Sequence, residues 1–137
     1  MVISLTLLSG ALCGAFNGAI ITKFAIPSII VTIGTMSLFR GLAYSFLEDS
    51  YYNKFPKLVS NLGSGYLFGY IPYAFLTFLL LPLVFAFILH KTSVGKKMYS
   101  IGNNPDAAQY TGIAVDKYTF ILFTLNGLVS AIAAIFL

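Results

Sequence analysis

The sequence predicts an all-α protein, a polytopic bundle of transmembrane helices with about four membrane segments, one of them either a full span or a broken, partly re-entrant helix. Three observations predict it. Of the 137 residues, 58% are hydrophobic and 9% charged, against roughly 25% charged in a soluble domain. The charges stand between the apolar runs, with Arg40 as the exception. Each of the four runs has about the 20 residues that cross a hydrocarbon core roughly 30 Å thick at about 1.5 Å per residue.

The first run is Val2 to Thr22. It has no basic residue ahead of it and no small-x-small cleavage pattern behind it, so it reads as a retained span rather than a signal peptide. Gly10, Gly14 and Gly18 recur every four residues and therefore share one helix face, where a second helix can approach closely. The second run, Phe24 to Leu47, starts beside Pro27 and is interrupted by Thr32, Gly34, Thr35, Ser37, Arg40 and Gly41. A full span and a re-entrant helix both satisfy its backbone only with protein around it. Arg40 marks a functional position by default, because a charge within the bilayer is costly. It also lies close enough to Glu48 in sequence to snorkel to the headgroups or to serve as a helix-end contact.

The third run is Ile71 to Leu89 and the fourth Tyr118 to Leu137. In the fourth, Gly127 with Ala131 and Ser130 with Ala134 repeat the small-xxx-small spacing. Asn17 and Asn126 are polar groups within spans, which hydrogen bonds between helices explain. The chain opens almost inside one apolar run and stops inside another, which reads as a piece of a longer protein.

Charge sets the topology. The loop from Lys91 to Lys117, together with Lys23, carries most of the lysines and is expected on the cytoplasmic side; Lys54 and Lys57, offset by Glu48 and Asp49, lie on the other. Tyr51, Tyr52, Tyr66, Tyr70 and Tyr73 then suit an interfacial belt. The net charge of +4 is a topology signal, and no nucleic-acid partner is expected. Cys13 and His90 are the only residues of their types, so no internal disulfide and no metal site of several His or Cys ligands is expected. TSVGKK ends like a phosphate-binding loop, but His90 stands where that motif needs its first glycine. The carboxylates Glu48, Asp49, Asp106 and Asp116 lie in predicted loops with no base or nucleophile beside them, so no catalytic group is expected.

The most polar passage is GKKMYSIGNNPDAAQYTGI, from Gly95 to Ile113. Asn104 as N-cap, Pro105 at the first helical position and Asp106 in the first turn predict a helix start. Gly112 as the left-handed cap and Ile113 as its hydrophobic partner predict the stop. The helix from Pro105 to Thr111 is too short to stand alone in water and must dock on its own chain or on a partner.

KFAIPSIIVTIGTMSLFRGLAY and TSVGKKMYSIGNNPDAAQYTGIAVDKYTFILFTLNGLVSAIAA, in this order and spacing, resemble the membrane permease subunit of bacterial ATP-binding-cassette importers, in the branch that takes up ribose and other simple sugars. The resemblance covers nearly the whole chain, as a fragment of a longer permease. It implies a multi-pass protein of the bacterial plasma (inner) membrane, with no cofactor in this chain and ATP used by a separate ATPase subunit. It also implies a second permease subunit, identical or not, and an extracytoplasmic solute-binding protein. By the resemblance, Gly95, Gly102, Asn103, Asn104, Pro105, Ala107, Ala108, Gly112 and Ile113 belong to the loop of about 91–117 that contacts the ATPase. The family often has Arg or a second Gly where this chain has Lys96 and Asn104. Thr32, Thr35 and Arg40 are the candidates to face the translocation path. Two alternatives stand beside the sugar permease: a branched-chain amino-acid permease, and a membrane scaffold that transports nothing.

Overall fold

Along the chain come α1 (Val2–Phe24), α2 (Ser28–Leu47), a short antiparallel ladder of β1 (Tyr66–Leu67) with β2 (Ile71–Pro72), then α3 (Tyr73–Lys91), α4 (Ser93–Asn103), α5 (Pro105–Tyr110) and α6 (Val115–Phe136). This computed structural model describes residues 2–47, 65–67 and 71–136. Glu48, Asp49, Tyr51, Tyr52, Lys54, Lys57 and Tyr70, to which the sequence assigns an outer loop and an aromatic belt, lie outside the described residues.

The helices α1, α2, α3 and α6 are each long and apolar enough to cross a membrane. Their side chains point outward without protein cover: Phe46 is 83% exposed and Phe78 73%. In water such surfaces would aggregate, whereas in a bilayer they are the lipid-facing side of a bundle whose helices satisfy their own backbones.

Local chemistry sets the boundaries. α1 continues through Lys23 and Phe24, two residues beyond the run the sequence marks, and breaks at residues 25–27. Pro27 restricts Ile26 to extended backbone, and Ala25 has φ +50°. α2 then starts with Ile30 N–H donating to the Pro27 carbonyl at 3.1 Å. It is one continuous helix, so of the two forms predicted for this run the unbroken one is found. α3 begins at Tyr73 rather than Ile71, because Ile71 and Pro72 are taken into the ladder. α6 starts at Val115, ahead of the predicted Tyr118, and includes Asp116 and Lys117; an acid in the first turn is favourable against the helix dipole.

The sequence reading contains no equivalent of α4. Lys96 and Lys97 fall in the loop expected from Lys91 to Lys117, and the structure winds them into an 11-residue helix.

The closest packing is between α1 and α6. A Cβ built at Gly127 would lie 2.9 Å from Gly14 Cα and strike the Gly10 carbonyl oxygen, and one at Gly10 would strike Ala131 Cβ. At Gly18 it would meet Phe120 Cα at 3.1 Å. The two small-residue stripes therefore face each other, with backbone against backbone. Dispersion across so close a seam replaces the hydrophobic effect, which gives little drive between helices already in lipid. α2 leans on α1 through Phe16 and Phe39, whose ring centroids are 6.2 Å apart. α3 faces α6 across an apolar groove of about 610 Å³ lined by Leu81, Pro82, Phe85, Leu122, Leu125 and Val129.

Candidate functional site

Among the described residues, polar side chains gather in two places: a cleft inside the bundle, and the run of short helices at one end. The cleft, about 440 Å³, lies where α1, α2 and α6 converge, within the roughly 300–1,000 Å³ of small-molecule sites. α2 contributes Thr32, Thr35, Met36 and Phe39, whose spacing of three, four and seven residues defines one helix face. α1 supplies Thr6, Ser9, Cys13 and Asn17, and α6 supplies Asn126 and Ser130. No Asp, Glu, Lys, Arg or His is among the described residues of its wall.

The cleft hydroxyls are committed in a common way. Thr32 donates to the Ser28 carbonyl at 2.9 Å and Thr35 to that of Val31 at 2.9 Å. Thr6, Ser9 and Ser130 donate to Val2, Thr6 and Asn126 at 3.0, 2.9 and 2.9 Å. Such back-bonding to the preceding turn is the ordinary resort of Ser and Thr in a helix. Each oxygen keeps lone pairs, so these hydroxyls accept hydrogen bonds from a guest more readily than they donate them, while the Asn17 and Asn126 amides carry N–H donors.

Arg40 is not on this wall. Five residues beyond Thr35, it is turned about 140° around the helix at about 100° per residue. It is exposed, with its guanidinium carbon 6.0 Å from the Tyr44 ring centroid. The structure thus brings Thr32 and Thr35 together and leaves Arg40 apart.

At the other place, α3 turns into α4 at a tight corner. Thr92 Oγ1 accepts from Gly95 N–H at 3.2 Å and caps α4. A Cβ at Gly95 would strike the Leu89 carbonyl oxygen and lie 2.5 Å from Leu89 Cα, so the corner closes only around glycine. The ring of His90 stands edge-on to Tyr99 at 6.1 Å, and Lys97 Nζ lies 5.6 Å from the Tyr118 ring centroid. These contacts hold α4 against the ends of both α3 and α6.

Asn104 divides α4 from α5. Pro105 drives it into extended backbone, with φ −158° and ψ 103°. Its N–H closes α4 on the Ser100 carbonyl at 3.2 Å, while its Oδ1 accepts from Ala107 N–H at 3.1 Å to open α5. The far end is a Schellman cap: Ile113 N–H donates to Ala108 O at 3.1 Å, Gly112 N–H to Gln109 O at 3.0 Å, and Gly112 has φ +83°.

Ala108, 2% exposed, is the residue by which α5 rests on its own chain, and Ile113 beside it is half-buried. Gly102, Asn103, Pro105, Ala107 and Gly112 are exposed, and Tyr110 is 92% exposed. The sequence reading omits Thr92, whose position three residues before Gly95 is a capping signal. It also omits the cleft roles of Thr6, Ser9 and Ser130, for which a single helix carries no signal.

A profile of the family described as branched-chain amino acid transport system / permease component matches residues 1–137. Among curated proteins, the chain is 35% identical over 129 residues to the autoinducer 2 import system permease protein LsrC of Yersinia pestis (strain Pestoides F), covering 94% of this chain and 36% of that one. It is likewise 35% identical over 126 residues to the LsrC protein of Klebsiella pneumoniae subsp. pneumoniae, covering 92% and 36%. With LsrC of Photorhabdus laumondii subsp. laumondii it shares 35% identity over 131 residues, covering 96% and 39%. The chain thus spans little more than a third of the length of these relatives. No solved structure matches it.

Proposed function

Because this chain belongs to the family of branched-chain amino acid transport system / permease components, we propose that it forms part of the translocation path of an ATP-driven importer for a simple sugar and couples that path to a separate ATPase subunit. It is a multi-pass protein of the bacterial inner membrane, and its family is one of permease components. The observation that carries the reading is the uncharged, hydroxyl-lined cleft among α1, α2 and α6. Such a wall suits a neutral polar solute, since burying an ion there would leave it without a counter-charge. The chain itself makes and breaks no covalent bonds. A solute-binding protein delivers the sugar, a second permease subunit completes the path, and ATP hydrolysis on the partner drives alternation between outward and inward access.

The coupling end is α4 with α5. A two-turn helix capped at both ends, seated by Ala108 and otherwise exposed, has the form of a part meant to be gripped. A branched-chain amino acid is the substrate the family description names, but its carboxylate and ammonium would find no opposite charge among the described residues of the wall. A scaffold without transport remains the other rival.

The test is Ala107→Glu in the complete transporter that contains this chain. It places a charge on the exposed face of α5 and spares the caps. ATP-driven uptake should fall at least tenfold with the permease still inserted and associated. Unchanged uptake would remove α5 from the coupling role, and ATPase activity indifferent to the permease would favour the scaffold.

A further inference from the structure

One buried polar atom on the cleft wall has no hydrogen-bond partner: Asn17 Oδ1. The hydroxyls around it cannot supply one, because Thr6, Ser9, Thr32, Thr35 and Ser130 each donate to a carbonyl of their own helix. A buried acceptor without a donor is costly, and where such a group persists in a native fold it calls for an explanation in function or in bound solvent. Asn χ2 is a soft torsion, so the amide can turn its oxygen into the open part of the cleft. Turned there, it is open to a donor brought by a solute, since no group of the wall donates to it in this structure.

We propose that Asn17 is the specificity-determining residue of this cleft, its amide oxygen accepting a hydroxyl proton from a neutral, polyhydroxylated solute while the lone pairs of Thr32 and Thr35 accept others. This rests on the permease reading above and names the residue that selects within it. A sugar brings donors around its whole rim, matching a wall whose hydroxyls have none to spare. A zwitterionic amino acid presents a carboxylate to those same lone pairs, with no Lys, Arg or His among the described wall residues to balance it. The selection therefore acts by leaving the wrong solute's charge unpaired as well as by satisfying the right one.

The cleft carries its own reporter. Cys13, the only cysteine in the chain, lies on the same wall one helical turn from Asn17. The experiment uses the complete transporter with its ATPase in proteoliposomes, any cysteine outside this segment replaced by Ser. Methyl methanethiosulfonate, an uncharged reagent, labels Cys13, and D-ribose or L-leucine competes.

D-ribose should slow labelling of the parent protein at least fivefold, and L-leucine should leave it within twofold. In Asn17→Leu the ribose concentration giving half-protection should rise at least tenfold, with the labelling rate in the absence of solute unchanged within twofold. Asn17→Ala, which removes the acceptor without adding bulk, carries the same expectation should the leucine variant fail to insert. If the parent transports ribose and either inserted variant keeps full protection, the proposal is overturned while the sugar-permease reading stands. If the parent neither takes up nor is protected by ribose but is protected by leucine, the reading itself fails, and the proposal with it.

Discussion

Gly14 sits in the α1–α6 seam, and its replacement by Ala tests whether backbone contact holds these two helices together. The added Cβ would lie 3.0 Å from Gly127 Cα and strike the Phe123 carbonyl oxygen. Carbon atoms at optimal separation stand about 3.5–4.0 Å apart, so α6 must retreat by about 0.5 Å or more, and no rotamer change can absorb the shift because both neighbours are main chain. Overpacking of this kind costs about 1–3 kcal/mol. A gap of about 0.5–1 Å also forfeits a quarter to a half of the dispersion well for the flanking contacts. Against this, Ala is favoured over Gly in a helix interior by about 1 kcal/mol. The net expectation is a loss of about 1–2 kcal/mol. Gly34→Ala is the control, since a Cβ at that position meets nothing within 4 Å, leaving only the propensity gain. Equilibrium unfolding in mixed detergent micelles, followed by circular dichroism, should separate the two variants by about 2–3 kcal/mol and in sign. If Gly14→Ala is as stable as the parent, or Gly34→Ala is equally destabilised, the seam is not what secures α1 to α6.

Two further perturbations address α4 and α5. Asn104→Ala removes the side-chain cap of α5 and should cost that helix about 1 kcal/mol, read as roughly fivefold faster amide exchange at Ala107; unchanged exchange would mean that the Asn104 side chain does not hold the helix start. Gly95→Ala should force α4 away from the end of α3, because its Cβ would meet Leu89 main chain. Spin labels at Phe87 and Gln109 should then report a shifted distance distribution, and an unaltered one would refute the glycine-dependent corner.

The parts of this architecture written in local sequence were open to reading, and those that depend on which helices become neighbours were not. Gly10, Gly14 and Gly18 announce a close-packing face because a spacing of four is nearly one turn, and Gly127 with Ala131 does the same. Nothing in either stripe says that the two meet. Asn104, Pro105 and Gly112 foretell the start and stop of α5 because caps are made by residues adjacent in sequence. α4 escaped because Ser93, Gly95, Ser100, Gly102 and Asn103 are poor helix formers, so the helix depends on the Thr92 cap and on contacts with α3 and α6. The cleft is divided among three helices: Thr32 and Thr35 were visible as interruptions of an apolar run, whereas Ser9 and Ser130 gain meaning only once α1, α2 and α6 converge. The place of Asn17 within a span suggests a hydrogen bond between helices, yet its oxygen has no partner.

The three-residue link at Ala25 to Pro27 has a mechanical consequence. Fully extended it reaches about 10 Å, so the start of α2 cannot travel far from the end of α1, and α2 can move only as a lever pivoted at that link. At about 1.5 Å of rise per residue, Thr32 lies about 6 Å along the lever arm and Phe39 about 17 Å. Any tilt is therefore magnified roughly threefold between them: a swing of about 10° carries Phe39 through about 3 Å and Thr32 through about 1 Å. Such a swing would open the cleft more at Phe39 than at Thr32, which keeps its place near the pivot.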